Sequence, residues 1–137
     1  MKITQEGDYA LRVVLYLSKL GVNYKVEAKV ISESENIPLR FLLKLLRKLT
    51  ITGILDSFRG NGGGYAIKKL PEHITLKDVI EAIEGPIYVN RCLYDETYCN
   101  LKRSNTCDVH KALEVVQSSL ICHLESINFK QIIKKSI

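Results

Sequence analysis

Leu42, Leu45, Leu46 and Leu49 recur at i, i+3, i+4 and i+7, the spacing of a single apolar helix face. Arg40, Lys44 and Arg47 fall at i, i+4 and i+7 on the opposite side. This pattern predicts a helix from Pro38 to Thr52, with Pro38 suited to its first turn and Gly53 ending it. The period then changes to that of strands. Ile54 to Phe58 and Tyr65 to Ile67 alternate around a glycine-rich tip, which predicts a hairpin.

Upstream, Ala10, Val13, Val14 and Leu17 form a helical stripe over Thr4 to Leu20. Thr4 suits the N-cap, Glu6 and Asp8 suit the positive end, and Gly21 is a stop signal. A short helix follows over Glu27 to Glu35, and Asn36 tolerates a left-handed turn before Pro38. The order helix, tight turn, helix, hairpin is that of a winged helix-turn-helix, with residues 38–52 as recognition helix. Downstream, Thr75 and Asp78 form a capping box for a helix that Gly85-Pro86 stops. Residues 87–106 read as loop. A long helix is predicted from Cys107 to Ile127. Its stripe of Leu113, Val116, Leu120 and Leu124 is the pattern of a dimerisation helix, although a buried core helix has the same pattern. The tail after Asn128 suits a short terminal helix. The expected fold class is therefore mainly α with a small β wing. Its organisation is a DNA-binding domain over 1–86, a cysteine-bearing loop over 87–106, and a dimerisation helix with tail over 107–137.

Charge sharpens this picture. The chain of 137 residues carries a net charge of +5. The stretch 37–70 alone holds seven Lys/Arg against one acid, a local balance of +6. The positive excess thus sits on the predicted helix and wing, which points to double-stranded DNA. An amphipathic helix with a charged outer face is ordinarily only a solvated helix. The wing and the concentration of charge are what favour DNA. The expected contact set is Pro38, Leu39, Arg40, Phe41, Lys44 and Arg47 on the helix, with Arg59, Gly60, Gly62 and Gly63 at the wing. Glycines there allow positive φ and let backbone amides approach a phosphate. The same loop fails as a nucleotide-binding motif, because a strand and not a helix follows it. No apolar run approaches the roughly 18 residues of a membrane span. The first turns carry acids, unlike a signal peptide, so a cytoplasmic protein is expected.

Cys92-x6-Cys99-x7-Cys107-x2-His110 is the second chemical signal. Soft ligands on an irregular loop can close around a metal. The close cysteine pairs of structural zinc are absent, and widely spaced thiolates fit an iron–sulfur cluster at least as well. Redox-active thiols and incidental cysteines are the other two readings. Cys122, on the far side of the long helix from Leu113 and Leu120, reads as a small packing residue.

Several motifs coincide along the chain: Met1-Lys-Ile-Thr4 with Tyr9-Ala-Leu-Arg12, Ile37-Pro-x-x-Phe-Leu42, Leu49 through Gly53, Ser57-x-Arg59-Gly60 with Gly62-Gly63-Gly64-Tyr65, Glu84-Gly85-Pro86, and the three cysteines. With these the chain resembles, from end to end, the iron–sulfur-cluster regulators of the bacterial Rrf-two superfamily, which includes IscR, NsrR, RirA and CymR. The resemblance implies a homodimer that binds a near-palindromic operator. In cluster-binding members the three cysteines hold a [2Fe–2S] or [4Fe–4S] centre, which implies Cys92, Cys99 and Cys107 here. IscR-like members take the fourth ligand from a His at the position of His110. NsrR-like members take it from an acid of the partner's first helix, at the position of Asp8. The first cysteine gap is one residue longer than the usual pattern.

Three functions compete. The leading one is a repressor whose DNA affinity depends on a cluster. The second is a cluster-free winged-helix regulator that senses a partner protein or thiol oxidation. The third, an enzyme, lacks any nucleophile–base set or carboxylate pair in the sequence.

Overall fold

Thr4 starts the first helix by accepting the Gly7 amide on its hydroxyl, and α1 then runs over Gln5–Leu20 until Gly21 turns the chain at φ +97°. The computed structural model describes residues 1–137. Helix α2 (Ala28–Glu35) ends where Asn36 enters the left-handed region at φ 52°, and α3 (Leu39–Ile51) begins shortly after it. Pro38 takes the position before α3, not one within its first turn. This is a small correction with a plain cause: the extended ψ of 129° at Pro38 redirects the chain out of the tight turn.

Strands β1 (Leu55–Phe58) and β2 (Gly64–Ile67) form the antiparallel wing, with Leu55 opposite Ile67 and Phe58 opposite Gly64. The segment before α2 adds to this sheet. Val26 and Tyr65 exchange both backbone hydrogen bonds, at 2.9 and 2.8 Å. A Cβ at Gly64 would overlap the Val26 carbonyl, so glycine is what lets the two backbones meet. After a 3-10 turn at Pro71–His73, α4 (Leu76–Glu84) opens with the Thr75/Asp78 capping box in place.

The core is built from α1, α3, α4 and the wing. Leu42, Leu45, Leu46 and Leu49 of α3 are fully buried against Ala10, Val13, Val14 and Leu17 of α1, together with Leu55 and Ile67. Each leucine contributes about 2 kcal/mol by leaving water. That burial fixes the rotation of α3 and leaves its basic face outward.

Residues 87–106 are less irregular than the sequence suggests. They contain the single-turn helix α5 (Arg91–Tyr94) and a 3-10 turn at Glu96–Tyr98, started by the side chains of Asn90 and Asp95. Local Asx bonding, not apolar periodicity, builds these turns. Helix α6 spans Asp108–Ser126 and packs on α4, with α5 near its start. The tail forms α7 (Phe129–Lys134) and returns to the N-terminal body. Phe129 joins the main core, and its amide donates to the Ile74 carbonyl at 2.9 Å. No helix is long and apolar enough to cross a membrane.

Candidate nucleic-acid interface and candidate metal centre

The outer face of α3 carries Arg40, Lys44 and Arg47, all exposed. Leu39 and Leu43 stand one turn apart among them, 41% and 44% exposed. The sequence pattern did not single out Leu43, which looks there like one more leucine of an apolar helix. Phe41 is turned inward and meets Tyr9 edge-on, with centroids 5.6 Å apart. It serves to seat α3 on α1. Pro38 is exposed at the start of α3, and Arg59 is exposed at the shoulder of the wing. Gly60 and Gly62 hold φ of +80° and +76° at the wing tip, and Gly63 is half-buried beside them.

Ion pairing sorts the seven basic residues of this region. Lys48 donates to Glu6 at 2.8 Å and Lys68 lies 3.9 Å from Asp56. Arg40, Lys44, Arg47, Arg59 and Lys69 have no acidic partner. These five are the unneutralised charge, and they lie on α3 and along the wing.

The cysteines form a second centre. Cys92, Cys99, Cys107 and His110 line one cleft of about 220 Å³, together with Asn90, Arg91, Tyr98 and Ser104. All three cysteines are half-buried and free of disulfides. Cys92 comes from α5, Cys99 follows the 3-10 turn, Cys107 caps α6 and His110 occupies its first turn. Cys92 Sγ lies 3.2 Å from His110 Nδ1, within hydrogen-bond reach. The backbone amides of Arg103 and Leu101 hold the Cys99 thiol below its ordinary range, with smaller help from the Lys102 amide. This is a nest of donors that favours a thiolate. The four groups surround the cleft without being drawn into one coordination sphere. Thiolate and imidazole are the donor types that soft metals and iron–sulfur clusters take.

Asp8 is elsewhere in the chain. It is exposed on α1 and lies 3.7 Å from Arg12, whose guanidinium also pairs with Glu35 and donates to the Glu35 carbonyl. Cys122 is exposed, which corrects its reading as a packing residue. On α6 the half-buried stripe contains Leu113, Leu120 and Leu124, on the helix that packs against α4. Val116 lies off this stripe at 55% exposure, two turns beyond Val109 at 65%. Sequence reasoning also missed Gln117. Its Oε1 accepts the Val89 amide at 3.0 Å and pins the start of the cysteine segment to α6.

Residues 3–135 match the model of the family described as Rrf2, iron-dependent transcriptional regulator. The chain belongs to the Rrf2 family. It is 31% identical to the regulator NsrR of Bacillus licheniformis over 134 residues, 97% of this chain and 92% of that protein. It is 34% identical to CymR of Bacillus subtilis over 96 residues, 70% of each. Among solved structures, T. potens IscR superposes with a TM-score of 0.77 over all of this chain and 89% of that one, at 23% identity. The structure of CymR, described as the global cysteine regulator of B. subtilis, gives 0.70 over 100% and 99%, at 28% identity. This Rrf2 chain is thus a winged-helix, DNA-binding transcriptional regulator and not an enzyme.

Proposed function

We propose that this chain is a cytoplasmic, homodimeric repressor whose affinity for a near-palindromic operator is set by an iron–sulfur cluster on Cys92, Cys99 and Cys107. The gathering of these cysteines and His110 around one cleft, at the head of α6, carries the reading. His110 is the preferred fourth ligand, because it already lies against Cys92. Asp8 of the partner subunit is the alternative, since the chain's own Asp8 is absent from the cleft. When bound, a cluster supplies a tie among thiolates that oxidation or ligand attack can break.

The chain's own residues link that tie to DNA. Gln117 holds Val89 at one end of the cysteine segment. Just upstream of that segment, the Glu84 carboxylate accepts from Thr4 at the start of α1. Tyr9 of α1 in turn seats Phe41 of α3. Rearrangement of the loop therefore reaches the recognition helices, and the outcome is a population shift between binding and non-binding dimers. The two α3 helices of a dimer would lie about 34 Å apart in successive major grooves. Arg40, Lys44 and Arg47 face base edges and phosphates, and Arg59 serves the minor groove or backbone. Dimerisation through α6 uses its outward positions Val109, Ala112 and Val116, flanked by the edges of Leu113, Leu120 and Leu124.

The likeness to CymR supports a second reading, a cluster-free regulator that responds to cysteine status, thiol oxidation or a partner protein. Anaerobic purification with iron and sulfide assays and a visible spectrum separates the two. Stoichiometric iron and sulfide with thiolate-to-iron absorption supports the cluster. Colourless protein that still binds its operator after attempted reconstitution supports the second reading. Reconstituted Cys92→Ala, His110→Ala and Asp8→Ala proteins then assign the ligands.

A further inference from the structure

Ser104 is 7% exposed, and its Oγ has no ordinary hydrogen-bond partner. An orphaned buried hydroxyl is uncommon and calls for a reason. Packing supplies none, because Ser104 lies in an irregular segment outside the hydrophobic core. Its surroundings do supply one. Ser104 lines the cleft that holds Cys92, Cys99 and Cys107. The turn that the Lys102 amide closes on the Cys99 carbonyl, at 3.1 Å, lies between Cys99 and Ser104, and both residues line that cleft.

We propose that Ser104 is a positioning residue of the cysteine site, donating its hydroxyl hydrogen to the Cys99 sulfur when that sulfur binds metal as a thiolate. The proposal rests on the reading of the cysteines as metal or cluster ligands. The unpaired Ser104 hydroxyl has a hydrogen to donate and lacks an acceptor. A thiolate is a strong one. The bond would orient Cys99 and draw charge from its sulfur, in the way outer-shell donors tune metal sites.

Cobalt(II) is the probe, titrated anaerobically into the reduced full chain. The wild type should develop thiolate-to-cobalt charge-transfer absorption. Ser104→Ala should bind cobalt about 10-fold or more weakly, the usual cost of losing an outer-shell partner. Its charge-transfer band should move to lower energy, because the sulfur lone pairs lose a stabilising donor. Ser104→Thr, which keeps the hydroxyl, should restore both. Circular dichroism should show all three proteins folded. A Ser104→Ala protein with wild-type affinity and band energy would overturn the proposal and leave the cysteine site standing. Equal shifts in the alanine and threonine variants would also overturn it, since packing and not the hydroxyl would then matter. A wild type with no thiolate band would overturn the metal-site reading and this proposal together.

Discussion

Glu84 Oε1 stands 2.7 Å from both the amide nitrogen and the hydroxyl oxygen of Thr4. The last residue of α4 thereby caps the first turn of α1 across 80 positions of sequence. A Cβ on Gly7 would lie 2.6 Å from the same carboxylate oxygen. Thr4, Gly7 and Glu84 therefore form one device, and it connects the helix-turn-helix to the segment that carries the cysteines.

The first prediction uses that device. Alanine at Gly7 gains about 0.5–1 kcal/mol of helix propensity. It must also displace a carboxylate whose hydrogen bonds are worth about 1–3 kcal/mol. Gly7→Ala should therefore destabilise the wild type, yet stabilise the Glu84→Ala protein. Urea unfolding of the double-mutant cycle measures this reversal of sign. Simple additivity would show that the two residues are not coupled.

Charge on the DNA face gives the second. Lys44→Ala and Arg59→Ala should weaken operator binding. Each phosphate interaction removed should reduce the slope of log K against log salt by about 1. Lys48, engaged by Glu6, should behave differently: Lys48→Ala should leave the slope unchanged and alter stability by at most about 1 kcal/mol. Equal slope changes in all three variants would refute this division of roles.

Leu39 and Leu43 present apolar surface among arginine and lysine side chains, a pairing suited to thymine methyl groups in a major groove. In an operator obtained by selection, replacing thymines under α3 with deoxyuridine should weaken binding by the wild type. The Leu43→Ala protein should respond less to that replacement. Identical responses from both proteins would show that Leu43 does not read the methyl group.

The outward face of α6 is the predicted meeting surface of two copies. Val116→Lys should produce a folded monomer in sedimentation velocity, because the lysine would be buried unpaired between subunits. Leu120→Lys is a less selective probe, since Leu120 is also half-buried within its own chain. A Val116→Lys protein that remains dimeric would move the interface elsewhere.

The tail supplies a pH dependence. Lys130 lies 3.0 Å from Glu72 and holds its carboxyl below the ordinary value of 4.5. A lowered folded value means that the contribution is complete above about 4.5 and fades as pH falls through the folded value. Protection factors for the α7 amides, which remove the intrinsic pH dependence of exchange, should fall over that acid range. Lys130→Met should remove most of this pH-dependent component. Protection in α7 that is equally pH-sensitive in both proteins would exclude the pair as its cause.

The helices of the DNA-binding half were legible because their determinants are local. The leucine spacing of α3, the Thr4 and Thr75 caps, the left-handed turn at Asn36 and the glycine-rich tip all act within a few residues. The unpaired status of Arg40, Lys44 and Arg59 was not legible in the same way. Lys48 carries the same charge in the same helix, and only its distance to Glu6 sets it apart. Spacing also named the four cleft residues, but not Ser104 or Gln117, whose roles depend on where their side chains end in space. On α6, a single apolar stripe mixed three half-buried leucines with an exposed valine. Periodicity records that a residue avoids water and not which neighbour covers it. The local sequence therefore determined the elements and their chemistry. The packing of α1 against α4, the return of Phe129 to the core and the assembly of the cleft were decided by long-range contacts, which no short window of sequence contains.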